Sequence, residues 1–330
     1  LSPEEYSRRK YVSLFIGGQR ELLMEIRYIV ETIQQYNPPI HPQQHPFWII
    51  SPNQLFDQTV DYVTEHNRLP TTLLSLNSNT SLSIPNILIL GETGTGKTLL
   101  ARFLHYKNYQ GLCRNDADWN FVDTLFQDLN CSAIPPELCD SELFGHVAGA
   151  YTDATRNNPG KIFCSCYGTL FLDEIGDMPL QVQAKLLKFL DDGGFYPLGW
   201  SGPKIYIPTT IIAATNQPIE RLIEEGRFRR DLYERFRHKI RLPSLRERMD
   251  HFDALVDFVL QNPAYNPIND QGNRRVNYIS AEALTLLRNY NYPGNFRELE
   301  SILWKAIGNA ISERSDIILP HHIKLPRSVT

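Results

Sequence analysis

The apolar run Asn86-Ile87-Leu88-Ile89-Leu90 leads directly into Gly91-Glu92-Thr93-Gly94-Thr95-Gly96-Lys97-Thr98, and this junction limits what the chain can fold into more than any other stretch. Four consecutive apolar positions, Ile87 to Leu90, read as a buried strand, and Leu99 to Leu104 read as the first turns of a helix. The glycines therefore occupy a strand-to-helix turn, the P-loop arrangement. Such a turn wraps backbone N–H groups around nucleotide phosphates and lies at the positive end of the following helix dipole. Gly91 through Leu99 are the expected cofactor-binding residues. Within them, Lys97 reaches the β- and γ-phosphates and the Thr98 hydroxyl ligates Mg²⁺. An ordinary glycine-rich connection would not need Lys-Thr at its end between a strand and a helix. The spacing predicts a nucleoside triphosphate, taken as ATP, with Mg²⁺.

A second acidic feature fits the first. Thr169-Leu170-Phe171-Leu172 reads as a strand buried on both faces, and Asp173-Glu174 stands at its end. An acidic pair at a strand end is common on protein surfaces. Downstream of a P-loop it reads as a Walker B element, in which Asp173 holds Mg²⁺ opposite Thr98 and Glu174 activates the attacking water. Thr210-Ile211-Ile212-Ala213-Ala214 reads as another central strand, followed by Thr215-Asn216. At that end of a parallel sheet, where ligands bind, Asn216 can orient the water or meet the γ-phosphate.

Between Ile87 and about Arg241 short β-rich runs alternate with helical segments, the pattern of a parallel α/β sheet. After Pro243 helices take over. Asn295 with Glu298 three residues on reads as a capping box, followed by the apolar stripe Leu299, Ile302, Leu303, Ala306, Ile307, Ala310 and Ile311. The fold class expected is α/β, a parallel sheet sandwiched by helices and followed by a small helical lid. Its domains are an α/β nucleotide-binding domain over 1–242 and a lid over 243–330. Gly18 to about Tyr36 forms an earlier helix. The interval 37–85, which opens on Pro38-Pro39, is too long for a structureless loop and reads as an insertion with a short helix near Gln54 to His66.

Composition excludes little. A formal net charge of −4 gives no overall pull toward nucleic acid or a membrane surface, and no apolar stretch approaches the ~18 residues of a membrane span. The five cysteines form no pair of pairs, so reduced thiols in a cytoplasmic protein are expected. Cys164-Ser165-Cys166 reads as strand packing, and His41, His45, His321 and His322 as solvated loop positions. The chain begins at Leu1, as expected for a piece of a longer protein. DNA contact is expected only through domains outside this chain.

Several further segments, taken in order, make a resemblance specific. They are Asn130-Cys131-Ser132-Ala133, Ser141-Glu142-Leu143-Phe144-Gly145-His146, Gly168 to Ile175, Phe228 to Arg235, Leu242 to Arg248 and Tyr292 to Leu299. With the P-loop, the chain resembles the AAA+ ATPase domain of sigma-54-dependent transcription activators, from about Phe15-Ile16-Gly17 to Leu325-Pro326. The resemblance implies a homo-oligomeric ring, commonly a hexamer, and adds Ile16, Gly17 and the sensor arginine Arg297 to the nucleotide site. It makes Asn130 a switch that holds Glu174 back until the γ-phosphate is sensed. It makes Arg229 and Arg235 arginine fingers for a neighbouring subunit, against the alternative of a solvated basic cluster with Arg227, Arg230 and Arg237. The family's sigma-contacting loop, GAFTGA, reads here Gly149-Ala150-Tyr151-Thr152-Asp153-Ala154. Asp153 replaces a glycine, removing its free access to positive φ and adding a charge. Three readings follow from the whole pattern: a remodeller of the sigma-54 RNA polymerase complex, a remodeller of the same lineage with another protein target, and a nucleotide-gated assembly module. Glu174, Asn216 and the paired arginines argue against the third.

Overall fold

Five short segments become one fully parallel sheet: β1 (Asn86–Leu90), β2 (Phe126–Asn130), β3 (Thr169–Asp173), β4 (Thr210–Thr215) and β5 (His238–Arg241), in the order β2-β3-β4-β1-β5. The structure, a computed structural model, describes residues 20–77, 84–268, 272 and 274–326. Every residue of β4 is buried, as are the first four of β1 and β3, so the uninterrupted apolar runs in the sequence are central strands. The chain leaves β1 for the far edge at β2, returns through β3 and β4, and passes beyond β1 to β5. Strand C-termini at such a reversal are where parallel sheets bind ligands.

Helices flank the sheet. Before β1 come α1 (Arg20–Tyr36), α2 (Pro52–His66) and α3 (Thr71–Asn77), and between the strands come α4 (Lys97–Tyr109), α5 (Asp116–Thr124), α6 (Pro136–Phe144), α7 (Gly160–Cys164), α8 (Leu180–Asp192), α9 (Ile219–Glu224) and α10 (Arg230–Arg235). The interval 37–85 is built into this core. Ser51 caps α2 in a reciprocal box with Gln54, Asn67 ends the helix in the left-handed conformation, and Leu55, Phe56 and Val63 are buried between. Phe56 meets Phe163 edge to face at 5.3 Å, and Phe47, Leu69, Leu73 and Ile84 join the same cluster as Leu88, Leu170 and Ile211. Full burial of such side chains contributes about 1.5–3 kcal/mol each.

The chain separates into two compact units. Of the described residues, one comprises those within 24–90 and 98–241 and holds the sheet; the other comprises 20–23, 91–97 and those from 242 to 326. In the second, α11 (Phe252–Leu260), α12 (Ala281–Arg288) and α13 (Asn295–Ser312) carry the apolar core. The stripe on α13 is buried from Leu299 to Ala310, with Ile311 half-buried at its end.

Three expectations need correction. Cys164-Ser165-Cys166 ends α7 and forms the turn after it, packing the core without being a strand. All five cysteines are free, and burial pushes the Cys139 and Cys164 thiols up to about 11. His45 and His322 are buried rather than solvated: His45 Nε2 lies 2.8 Å from the Cys166 carbonyl oxygen while Nδ1 accepts from Phe47 N–H. Strands do recur after Pro243, as the two-residue parallel pair Tyr278–Ile279 and Ile317–Ile318.

Candidate active site

The phosphate-binding segment is held from one side by its own lysine and from another by the lid. Gly94 and Gly96 take φ of +79° and +100°, which glycine adopts without strain. Lys97 Nζ donates to the Gly91 and Glu92 carbonyls at 2.9 and 3.2 Å, so the ammonium is drawn over the loop it terminates. Glu92 accepts from Arg246 through both guanidinium arms and from Asn295 Nδ2 at 3.1 Å. The Arg246 and Asn295 hydrogen bonds hold its carboxyl below the ordinary range.

Asn295 corrects the expected capping box. It is buried with φ +52°, and its amide accepts from Leu245 N–H at 2.8 Å and donates to the Thr93 carbonyl at 2.9 Å. The N-cap of α13 is Gly294, whose N–H donates to Glu298 Oε2 at 2.8 Å. Asn295 thus spends its side chain on the phosphate loop rather than on its own helix. Phe296 N–H donates to the Gly94 carbonyl at 3.1 Å, and a Cβ on Gly94 would stand 3.3 Å from Arg297 Cβ. Arg297 is exposed on the first turn of α13 beside that loop. Ile16 and Gly17 lie outside the described residues.

At the C-terminal edge of the sheet, register places Asn130 opposite Asp173 and Leu172 opposite Ala213, two residues before Thr215. Leu90, the residue before the phosphate loop, pairs with Thr215, and Asn216 follows it. Glu174 has φ +50° and ψ +50°, and its N–H donates to Asp173 Oδ1 at 3.1 Å. Its Oε2 accepts from the Asn216 N–H at 3.1 Å. Asn130 Oδ1 instead accepts from the Ser132 N–H and hydroxyl at 3.0 and 2.8 Å. The group on Glu174 here is therefore Asn216, a partner that sequence reasoning did not pair with it. Thr98 is exposed at the start of α4, and a threonine hydroxyl with an aspartate carboxylate is the oxygen donor set that suits Mg²⁺.

Arg229 and Arg235 stand at opposite ends of α10, as its N-cap and last residue. Arg229 is exposed and grips Asp231 with two bonds of 3.0 and 2.7 Å. Arg235 lies 3.1 Å from Asp191 Oδ1 and donates to the Leu190 carbonyl at 3.2 Å, a cation on the last turn of α8.

The segment Gly149 to Ala154 is a closed turn. Gly149 N–H donates to the Ala154 carbonyl at 2.8 Å, and Gly149 has φ +83°. Asp153 is not among the residues with positive φ, so the turn does not need glycine there. Tyr151 lies edge to face on His146 at 5.1 Å, and its hydroxyl is 3.5 Å from Ser141 Oγ. Ser141 and His146 belong to a segment that carries the resemblance, whereas Asn157 had no periodic or motif signal in the sequence.

Among the described residues, one His/carboxylate group has ligand atoms close together: Glu313, His321 and His322, within 4.8 Å. His322 Nδ1 accepts from the Leu319 N–H at 3.0 Å, so the proton of the neutral ring sits on Nε2 and points to Glu313 at 2.9 Å. Such a ring has no lone pair left for a metal, and the group is a hydrogen-bonded clasp.

Residues 63–241 match the Sigma-54 interaction domain and 246–326 the AAA+ ATPase lid domain. The chain belongs to this family. It is an AAA+ ATPase of the sigma-54 activator type, with the α/β sheet and lid of that class. It is 38% identical over 82% of its length to the anaerobic nitric oxide reductase transcription regulator NorR of Aliivibrio fischeri, covering 50% of that protein. It is 35% identical to the Nif-specific regulatory protein of Enterobacter agglomerans, over 85% of this chain and 49% of that one. The crystal structure of NtrX from Brucella abortus in complex with ATP is similar at a TM-score of 0.59 and 27% identity, over 84% of this chain and 55% of that chain. The chain spans about half the length of the curated relatives it matches. No helix among the described residues is long and apolar enough to cross a membrane.

Proposed function

We propose that this sigma-54 activator domain hydrolyses Mg-ATP at a site completed by a neighbouring subunit of a ring, a hexamer, in the cytoplasm, and uses turnover to remodel the sigma-54 RNA polymerase complex. The observation that carries the hydrolytic part is the Glu174 carboxylate, held by Asn216 N–H beside Asp173 at the C-terminal sheet edge. A site built only to bind has no use for a carboxylate there. Gly91 to Leu99 enclose the phosphates, and Lys97 contributes the cation. Arg297, with Ile16 and Gly17, completes the nucleotide contacts. Thr98 and Asp173 would hold Mg²⁺, which would neutralise charge on the phosphate oxygens. Glu174 takes the proton of the attacking water. Asn216 both restrains Glu174 and orients that water, and Asn130 switches between Ser132 and Glu174 as the γ-phosphate is sensed. Arg229 and Arg235 leave Asp231 and Asp191 to meet the neighbour's phosphates, where charge builds in the transition state.

The loop Gly149 to Ala154 is the proposed contact with sigma-54. Asp153 favours a second reading, a different protein target, because its exposed carboxylate stands where the family loop is uncharged. The test is capture of purified sigma-54 by the domain with ADP and aluminium fluoride. Binding by the native chain, with Asp153→Gly binding at least as well, is the expected result. Capture by neither form would retire the sigma-54 reading in favour of the second, and capture by Asp153→Gly alone would mark a descendant that has lost its target.

A further inference from the structure

The partner loop is tied to the interval 37–85 by one amide side chain. Asn157 Oδ1 accepts from the Ala148 N–H at 2.8 Å, and Asn157 Nδ2 donates to Asp57 Oδ1 at 2.9 Å. Ala148 is the residue before Gly149, where the loop begins its turn. Below it the stem is a two-bond bridge, His146 N–H to the Asn158 carbonyl and Asn158 N–H to the His146 carbonyl, each 2.8 Å. Asn157 therefore adds one rung above that bridge, at the neck of the loop.

The rung depends on Asp57. An asparagine amide presents an acceptor on one arm and a donor on the other, and the two are exchanged by a half-turn. Facing Ala148 N–H with oxygen leaves the NH₂ needing an acceptor, and Asp57 supplies it. With the amide reversed, NH₂ would oppose N–H and oxygen would oppose carboxylate, two repulsions in place of two bonds. Asp57 is itself fixed: the preceding Phe56 is fully buried and packed on Phe163, so α2 presents the carboxylate from a rigid base. Asp57 and Asn157 line one cavity of about 610 Å³ with Asn53, His146, Tyr151 and Asp153, which leaves the loop room to move once the rung is broken.

We infer that Asp57 is a positioning residue for the partner loop, acting through Asn157, and that this is a function of the interval 37–85. The inference rests on the loop's proposed partner role. The test uses the full chain with ADP and aluminium fluoride, in native form and as Asp57→Ala and Asp57→Asn. Losing a rung of ordinary strength speeds amide exchange at Ala148 and weakens sigma-54 capture, each about fivefold, in Asp57→Ala. Asp57→Asn keeps an acceptor oxygen and restores both to within about twofold, which a general loss of folding would not do. Unchanged Ala148 exchange in Asp57→Ala overturns the clasp. Faster exchange with undiminished capture, while Thr152→Ala abolishes capture, overturns the positioning role. Undiminished capture by Thr152→Ala overturns the loop's partner role instead, and this inference with it.

Discussion

At Gly94 of the phosphate loop an added Cβ would stand 2.2 Å from the Gly294 carbonyl oxygen, whereas at Gly149 of the partner loop it would meet nothing within 4 Å. Both glycines have similar torsions, φ +79° and +83°. The first loop is hydrogen-bonded along its length by Asn295, Phe296, Arg246 and its own lysine, and Gly294 backbone closes on it at Gly94. The second is held by hydrogen bonds at its neck, by the aromatic contact of Tyr151 with His146, and by Ala150 close against Gly199. The difference sets which of the two glycines has room for a side chain. The phosphate loop matches its motif at every position. The proposed partner loop carries Tyr151 and Asp153 at exposed positions, neither with positive φ.

The contacts on the phosphate loop all come from its own chain, whereas the proposed arginine fingers come from a neighbour. Arg229→Ala or Arg235→Ala is expected to bind ATP and lose about 10³ to 10⁵ in turnover. Mixing either with Lys97→Ala should recover part of the rate, read as phosphate release against protein concentration. Full specific activity in dilute monomer would break the shared-site account. Next in size, Glu174→Gln should bind nucleotide normally and turn over about 10² to 10⁴ times more slowly, whereas Lys97→Ala should fail to bind. Comparing nucleotide binding with phosphate release separates the two, and undiminished release by Glu174→Gln would remove the general-base assignment.

Acid distinguishes the unit that carries the partner loop. His45 and His105 are buried there, and burial pushes both down to about 4. In the unfolded chain a histidine titrates near 6.5. Above about pH 6.5 neither state is protonated and nothing is lost. As pH falls from there to about 4 only the unfolded chain gains the proton, and each histidine removes roughly 3 kcal/mol of stability. Urea unfolding across that range checks this, and a midpoint that stays constant would contradict it. The smallest effects sharpen the glycine comparison itself. Gly94→Ala is expected to weaken ATP binding by at least about tenfold through displaced backbone. Gly149→Ala meets only torsional strain of about 1 kcal/mol, a roughly fivefold loss of partner capture. Equal losses at the two sites would erase the distinction drawn between them.

The central strands and the order of sheet and lid were legible because short apolar runs and a 3.6-residue stripe are local signals. The glycine-rich turn between β1 and α4 was legible because its glycines and lysine stand close together in sequence. Asn295 was misread because its neighbours imitate a capping box, and only the fold shows that its amide is needed 202 residues away at Thr93. His45 and His322 were misread because a polar neighbourhood in sequence says nothing about what covers it in space. Asp57 and Asn157 stand 100 residues apart and carry no spacing rule.

Glu174 has a consequence for anyone engineering this domain. Its left-handed backbone, φ +50°, costs a side-chain-bearing residue about 1 kcal/mol that glycine would not incur. Glycine there would shed that strain but give up the bond from Asn216 N–H and add freedom to the unfolded chain, so a library screened only for melting temperature would have little reason to keep or discard the acid on which turnover is proposed to depend.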